Sequence, residues 1–140
     1  RLLDVGSGGG MPGIPLAVAR PDMSVTLLDS NSKKAAFLQQ AAIELSLPNI
    51  SVHCGRVEQY HPSFGFAAIT SRAFSELADF VSLSKHLLAA HGCWLAMKGV
   101  WPHEEIERLP AGVFLEGVQR LQVPGVEGKR HLVVLRALAL

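Results

Sequence analysis

Leu2-Leu3-Asp4-Val5-Gly6-Ser7-Gly8-Gly9-Gly10-Met11-Pro12-Gly13 is a short apolar run that breaks into glycines and then meets a proline. The apolar residues read as a buried strand. Glycine tolerates positive φ and has no Cβ, so Gly6, Gly8, Gly9 and Gly10 let the backbone turn sharply and let a ligand lie against main-chain N–H groups. Pro12 suits the first turn of a helix, where its missing N–H removes nothing. A strand that stops at a glycine loop and re-enters as a helix marks a ligand site of the open α/β kind.

Two ligand classes compete for that loop. Gly8-Gly9-Gly10-Met11-Pro12-Gly13 satisfies G-x-G-x-x-G, with Asp29 near the ribose-binding position about 20 residues on, which is the dinucleotide pattern. Asp4-Val5-Gly6-Ser7-Gly8 satisfies the related [DE]-x-G-x-G pattern of S-adenosylmethionine (SAM) methyltransferases. A dinucleotide needs the helix N-terminus for its pyrophosphate, whereas SAM has no phosphate and carries an ammonium group that calls for a carboxylate. Asp4 favours SAM. The plain alternative is that Asp4 merely ends a strand and the glycines form an empty turn.

Composition bounds the rest. At 140 residues and 49% hydrophobic content, residues 1–140 form one domain with a sizeable core. Lys and Arg number 13 against 12 Asp and Glu, so bulk charge argues neither for nor against a polyanionic partner. Cys54 and Cys93 fit no metal spacing and read as buried thiols in a reducing compartment; no metal is expected. No run reaches about 18 apolar residues and no signal-peptide pattern appears, so a soluble, cytoplasmic protein without membrane association is expected. The chain begins without Met and inside a strand, from which a missing N-terminal segment is expected.

Strand and helix signals alternate, which predicts a Rossmann-like α/β fold, a mostly parallel seven-stranded sheet with helices on both faces. Strands are expected at residues 2–5, 24–28, 50–54, 66–70 and 93–97. Helices are expected at 12–19, from the caps Ser30, Asn31 and Ser32 onward, and from the cap Ser75 onward. In the second helix Phe37, Leu38, Ala41, Ala42 and Leu45 form the expected buried stripe, ended by Pro48-Asn49; in the third it is Leu77, Phe80, Val81, Ser84 and Leu88. After a polar segment at Pro102-His103-Glu104-Glu105, residues 114–123 and 131–138 read as a C-terminal antiparallel hairpin.

Ligands of open α/β sheets bind outside the carboxyl ends of the strands. Asp29 follows the second strand and offers two acceptor oxygens to ribose hydroxyls, or else caps the next helix. Val57 and Glu58 follow the third strand and suit an adenine, or form an ordinary loop. Arg56, Arg72 and Lys98, from three strands, are expected to ring the cleft together with Lys33 and Lys34, which suggests a phosphate-bearing substrate. The two lysines also read as a solvated helix face. Lys129-Arg130-His131 is a further contact or an exposed turn.

With these residues in place the chain resembles a known family. Asp4-Val5-Gly6-Ser7-Gly8, Met11-Pro12-Gly13-Ile14-Pro15-Leu16, Leu27-Leu28-Asp29-Ser30, Arg56-Val57-Glu58, Ser71-Arg72-Ala73-Phe74, Lys98-Gly99 and Arg130-His131-Leu132-Val133-Val134 are similar, across the whole chain, to the bacterial small-subunit rRNA methyltransferase G family (RsmG, formerly GidB). The resemblance implies SAM-dependent methylation of guanine N7 at position 527 of 16S rRNA, in the small ribosomal subunit. It implies that Gly6, Gly8 and Met11 line the methionine side, Asp29 the ribose, and Val57 and Glu58 the adenine. Arg72 would stand at the mouth of the cleft, with Arg56, Lys98 and Arg130 facing the RNA. Two departures accompany it: Met11 replaces a common leucine, and the family's helical segment ahead of the first strand is absent.

The chemistry is consistent with that implication. Guanine N7 presents an in-plane lone pair, so no proton has to leave before methyl transfer and no general base is expected. Thr70-Ser71-Arg72-Ala73-Phe74 occupies the place where an Asn/Asp-Pro-Pro-Tyr-like or Pro-Cys motif would stand for other targets. Arg72 is then the candidate for orienting the base or its phosphate. The alternatives are an NAD-dependent oxidoreductase domain, which calls for a second substrate-carrying region, and a non-catalytic nucleotide- or RNA-binding module.

Overall fold

The computed structural model describes residues 1–72, 76–122, 125, 128 and 130–138. Seven strands form one sheet: β1 (Leu2–Val5), β2 (Val25–Asp29), β3 (Ile50–Cys54), β4 (Phe66–Ser71), β5 (Leu88–Lys98), β6 (Val113–Leu121) and β7 (Arg130–Ala137). Their order is β3-β2-β1-β4-β5-β7-β6. The first five run parallel, and β7 is antiparallel to both β5 and β6, which closes the sheet with the expected hairpin. Every residue of β1 and β2 is buried, as strands covered on both faces require.

The helices are α1 (Gly13–Ala19), α2 (Ser32–Glu44), α3 (Leu77–Ser84) and α4 (His103–Glu107). Successive strand residues alternate between faces, so Leu2, Val25 and Leu27 pack with Ala17 of α1 and Leu38 of α2. Leu3, Val5, Leu28 and Ile69 pack on the other face with Phe80 and Val81 of α3 and with Trp94, Val133 and Leu135. Trp94 is fully buried; its indole N–H donates to Ser84 Oγ at 3.0 Å, and that hydroxyl donates to the Phe80 carbonyl. Asn49 Nδ2 donates to the carbonyls of Ala17 (3.1 Å) and Met23 (2.9 Å), tying the start of β3 to the end of α1.

Register places the ligand edge. Val5 pairs with Leu28 and Ser71, Asp29 with Cys54, and Ser71 with Ala96, so the carboxyl ends of β1 to β5 finish on one side of the sheet. The chain leaves β1 for β2 and β3 in one direction and for β4 in the other, which opens the crevice at β1.

Several expectations are corrected. The stripe of α2 is Ala35, Leu38 and Ala42; Phe37 is 57% exposed because it lies about 100° round the helix from Leu38, and Leu45 is exposed because the helix has already ended. Cys54 is exposed, not buried, and Cys93 is half-buried. β5 begins at Leu88, so that residue extends the sheet instead of the α3 stripe, and the polar segment after β5 contains α4. The expected cap Ser75, Val123 and Lys129 lie outside the described residues. No helix among the described residues is long and apolar enough to cross a membrane.

Candidate active site

Asp4 sits under the glycine loop with no solvent exposure. Its Oδ2 accepts from Gly13 N at 3.0 Å, which lets β1 hold the start of α1. Its Oδ1 is buried and has no hydrogen-bond partner among the described residues. Burial lifts the Asp4 pKa to about 6, against the opposing pull of Ser7, the Gly13 N–H and the Arg72 guanidinium. Only glycine fits at 13, since a Cβ there would lie 2.2 Å from Leu27 Cδ2 and 2.9 Å from Asp4 Oδ2. Gly6, Gly8 and Gly10 take positive φ in the loop, whereas Gly9 does not.

Asp29 ends β2 and has two backbone partners. Its Oδ2 accepts from Gly8 N and its Oδ1 from Asn31 N, both at 2.9 Å. The carboxylate therefore pins the glycine loop to the start of α2, and each oxygen keeps a further acceptor position for a hydroxyl. Of the three rival caps, Asn31 holds α2, its Oδ1 accepting from Lys33 N (3.0 Å) and Lys34 N (3.1 Å).

A cleft of about 240 Å³ opens between the ends of β1, β2 and β3, lined by Gly6, Leu28, Asp29, Ser30, Gly55, Arg56, Val57 and Glu58, with Leu83 of α3 closing one wall. Val57 reaches both the cleft and the core below it. The structure thus brings Gly6, Asp29, Val57, Glu58 and Arg56 together. Asp4 and Gly8 support the loop at the same edge, and Arg72 is exposed at the end of β4. Met11 is exposed and does not line this cleft.

Leu83 went unnoticed in the sequence. The signal was there, because it is an apolar residue left over beside the α3 stripe of Leu77, Phe80, Val81 and Ser84.

The expected ring of cations divides. Lys33, Arg56 and Arg130 are exposed; Arg56 lies 3.7 Å from Glu58, an exposed pair of little energetic weight. Lys98 is not free to join them. Its side chain is 13% exposed and its Nζ lies 2.7 Å from Glu105 Oε1, 18% exposed, which also accepts from Leu77 N at 3.0 Å. The polar segment after β5 supplies the partner. Among the described residues no group of three or more His, Cys, Asp or Glu is placed to hold a metal.

Residues 1–133 match the family described as rRNA small subunit methyltransferase G (GidB). Ribosomal RNA small subunit methyltransferase G of Chromobacterium violaceum is 59% identical over 133 residues, covering 95% of this chain and 64% of its own length. The protein of the same name from Neisseria meningitidis serogroup B is 61% identical over 134 residues, covering 96% and 64%. The chain thus spans just under two thirds of the length of these curated relatives. Among solved structures, the glycopeptide N-methyltransferase MtfA complexed with SAM superposes with a TM-score of 0.77 over 99% of this chain and 81% of that one, at 14% identity, a likeness of fold alone.

Proposed function

The chain belongs to the rRNA small subunit methyltransferase G family, and from that premise we propose that it takes part in SAM-dependent methylation of N7 of guanine 527 in the 16S rRNA of the small ribosomal subunit, in the cytoplasm. The observation that carries the cofactor reading is the orphaned Asp4 Oδ1. A buried carboxylate oxygen without a partner is costly, and an ammonium group is the complement it lacks. An adenosine needs hydroxyl acceptors and an apolar slot, and Asp29, Glu58, Val57 and Leu83 supply both in one cleft. That a protein of the same fold is complexed with SAM supports the choice.

Gly6, Gly8, Asp4 and Met11 would hold the amino-acid end, Asp29 the ribose, and Val57 and Glu58 the base. SAM, when bound, supplies an electrophilic methyl group. The chain's own task is to position guanine, whose N7 lone pair needs no deprotonation. Ser71, beside Arg72, already donates its hydroxyl to the Val5 carbonyl at 2.8 Å, and no residue is assigned as acid or base. Positioning of this kind can contribute about 7–11 kcal/mol when fully realised. Arg72 is proposed to orient the base or its phosphate, and Lys33, Arg56 and Arg130 to meet the RNA backbone; Lys98 contributes through its ion pair. Neither an NAD-dependent oxidoreductase nor a non-catalytic module is favoured by the family.

Calorimetry with SAM, S-adenosylhomocysteine and NAD in parallel is expected to show binding of the first two and not the third. Asp29→Ala should weaken SAM by roughly 1.5–3 kcal/mol, as loss of hydrogen bonds to a charged group does. Digestion of treated 16S rRNA to nucleosides, with mass spectrometry, is expected to give N7-methylguanine. A methyl group on pyrimidine C5 or on an exocyclic amine overturns the reading.

A further inference from the structure

β5 runs out through Lys98 and Gly99 into Val100 and Trp101 before α4 begins. The two tryptophans of the chain have opposite fates. Trp94 is wholly buried in the core, whereas Trp101 is 43% exposed and belongs to neither core. Yet Trp101 is braced. Its ring centroid lies 5.9 Å from that of His131, edge-on at 79°, and 5.4 Å from that of His103 at 31°. His131 is itself buried, and its Nδ1 donates to the Gly99 carbonyl at 3.2 Å, so the brace is tied to the loop that carries the indole.

His131 pairs with Lys98 across β5 and β7, which puts this aromatic group on the carboxyl edge of the sheet, the edge of the cleft. Arg130, exposed, precedes His131 directly, and Arg72 is exposed at the end of β4 on the same edge. A half-exposed indole held by two imidazole rings, on a sheet edge that also carries exposed arginines, is suited to an unpaired base: the ring stacks on any base and cations along the edge meet the phosphates. A protein hot spot would also use an exposed tryptophan, but the cations of this edge favour a polyanion.

We propose that Trp101, braced by His131 and His103, is a stacking platform for an unpaired RNA base that flanks the target guanine. This rests on the RNA substrate proposed above. Since Trp94 is sealed from solvent, a change in tryptophan emission on adding RNA reports Trp101.

The test titrates the chain with a ten-nucleotide single-stranded RNA of the 16S sequence around the target guanine, and with an abasic strand of the same length. The RNA is expected to quench the emission and the abasic strand is not. Trp101→Ala should raise the KM for RNA about tenfold, the loss falling on KM and not on kcat, with Trp101→Phe recovering most of it. SAM affinity serves as the check on folding. Quenching that survives in Trp101→Phe, equal quenching by the abasic strand, or an unchanged KM in Trp101→Ala overturns the platform. A change of oligomeric state in Trp101→Ala with an unchanged KM does so in favour of a protein contact. Quenching by RNA without methylation of any RNA would overturn the proposed reaction and leave the platform standing.

Discussion

Asp4 carries one carboxylate oxygen on the Gly13 N–H and one with no partner, and the pH dependence of the chain follows from that imbalance. In the unfolded chain the group ionises near the ordinary aspartate value of 3.8, and in the folded chain near 6, so the folded state holds the extra proton between those values. The stability contributed by the protonated form is complete below the unfolded value and lost as pH rises through about 6, a change of about 3 kcal/mol. Urea unfolding is therefore expected to show the chain more stable at pH 5 than at pH 8 through this group, with Asp4→Asn flattening the slope; an equal slope in the variant removes Asp4 from the account. A cation bound beside Asp4 favours its ionised form, so SAM affinity should fall about tenfold per pH unit below 6. At this scale the sequence shows the kind of chemistry but not the bonding. A carboxylate in a strand that enters a glycine loop signals a cation site, yet the partners of Asp4 and Asp29 are the N–H groups of Gly13 and Gly8, placed by a backbone path that only the folded loop defines. Lys98 shows the converse, because nothing near it in sequence announces Glu105 as its partner.

Glu105 gives α4 a purpose that its five residues would not otherwise have. One oxygen takes both the Lys98 ammonium from β5 and the Leu77 N–H at the start of α3, so a single carboxylate joins three elements on the side of the sheet that ends in Arg72. Arg108 adds an exposed pair to Glu76, which precedes α3. Removing one partner of a well-buried ion pair strands the other charge, at about 3–5 kcal/mol. This pair keeps some solvent, so Lys98→Ala and Glu105→Ala are each expected to cost about 2 kcal/mol, read as a lower urea midpoint with an unchanged m-value. If the double variant loses the sum of the two, the groups are not coupled and α4 is held by its apolar contacts, Ile106 and Leu109. Element positions were legible wherever periodicity and burial agree, as in β1, β3 and the α3 stripe from Leu77 to Ser84. They were misread in α2, where Phe37 and Leu45 fit a helical count but fall respectively off the packed face and past the end of the helix. The reach of β5 back to Leu88 was hidden because His91, with φ 62, and Gly92 interrupt a run that otherwise reads as strand.

Across the whole molecule, the order β3-β2-β1-β4-β5-β7-β6 sends the carboxyl ends of five strands to one edge, and the candidate site lies there because ligands of open α/β sheets bind outside the carboxyl ends of the strands. The alternation of strands and helices made this topology readable, and the closing hairpin followed from two strand-like runs with no helix between them. Net charge is +1, so the proposed attraction of RNA has no support in bulk charge and rests on where exposed cations stand. Lys33, Arg56, Arg72 and Arg130 are exposed at that edge, whereas Lys98 is neutralised by Glu105. Each cation that meets a phosphate releases a counterion, which steepens the fall of affinity with salt by about 0.7 per contact on single strands. Arg56→Ala and Arg130→Ala should therefore each make the plot of log K against log salt shallower by about 0.7, while Lys98→Ala leaves its slope in place and lowers stability instead. Measuring RNA affinity between 50 and 200 mM salt, on the order used for such slopes, separates the two roles in one experiment. A shallower slope in Lys98→Ala would mean that the ion pair opens to reach the RNA, and unchanged slopes in both arginine variants would move the RNA path to another face of the sheet.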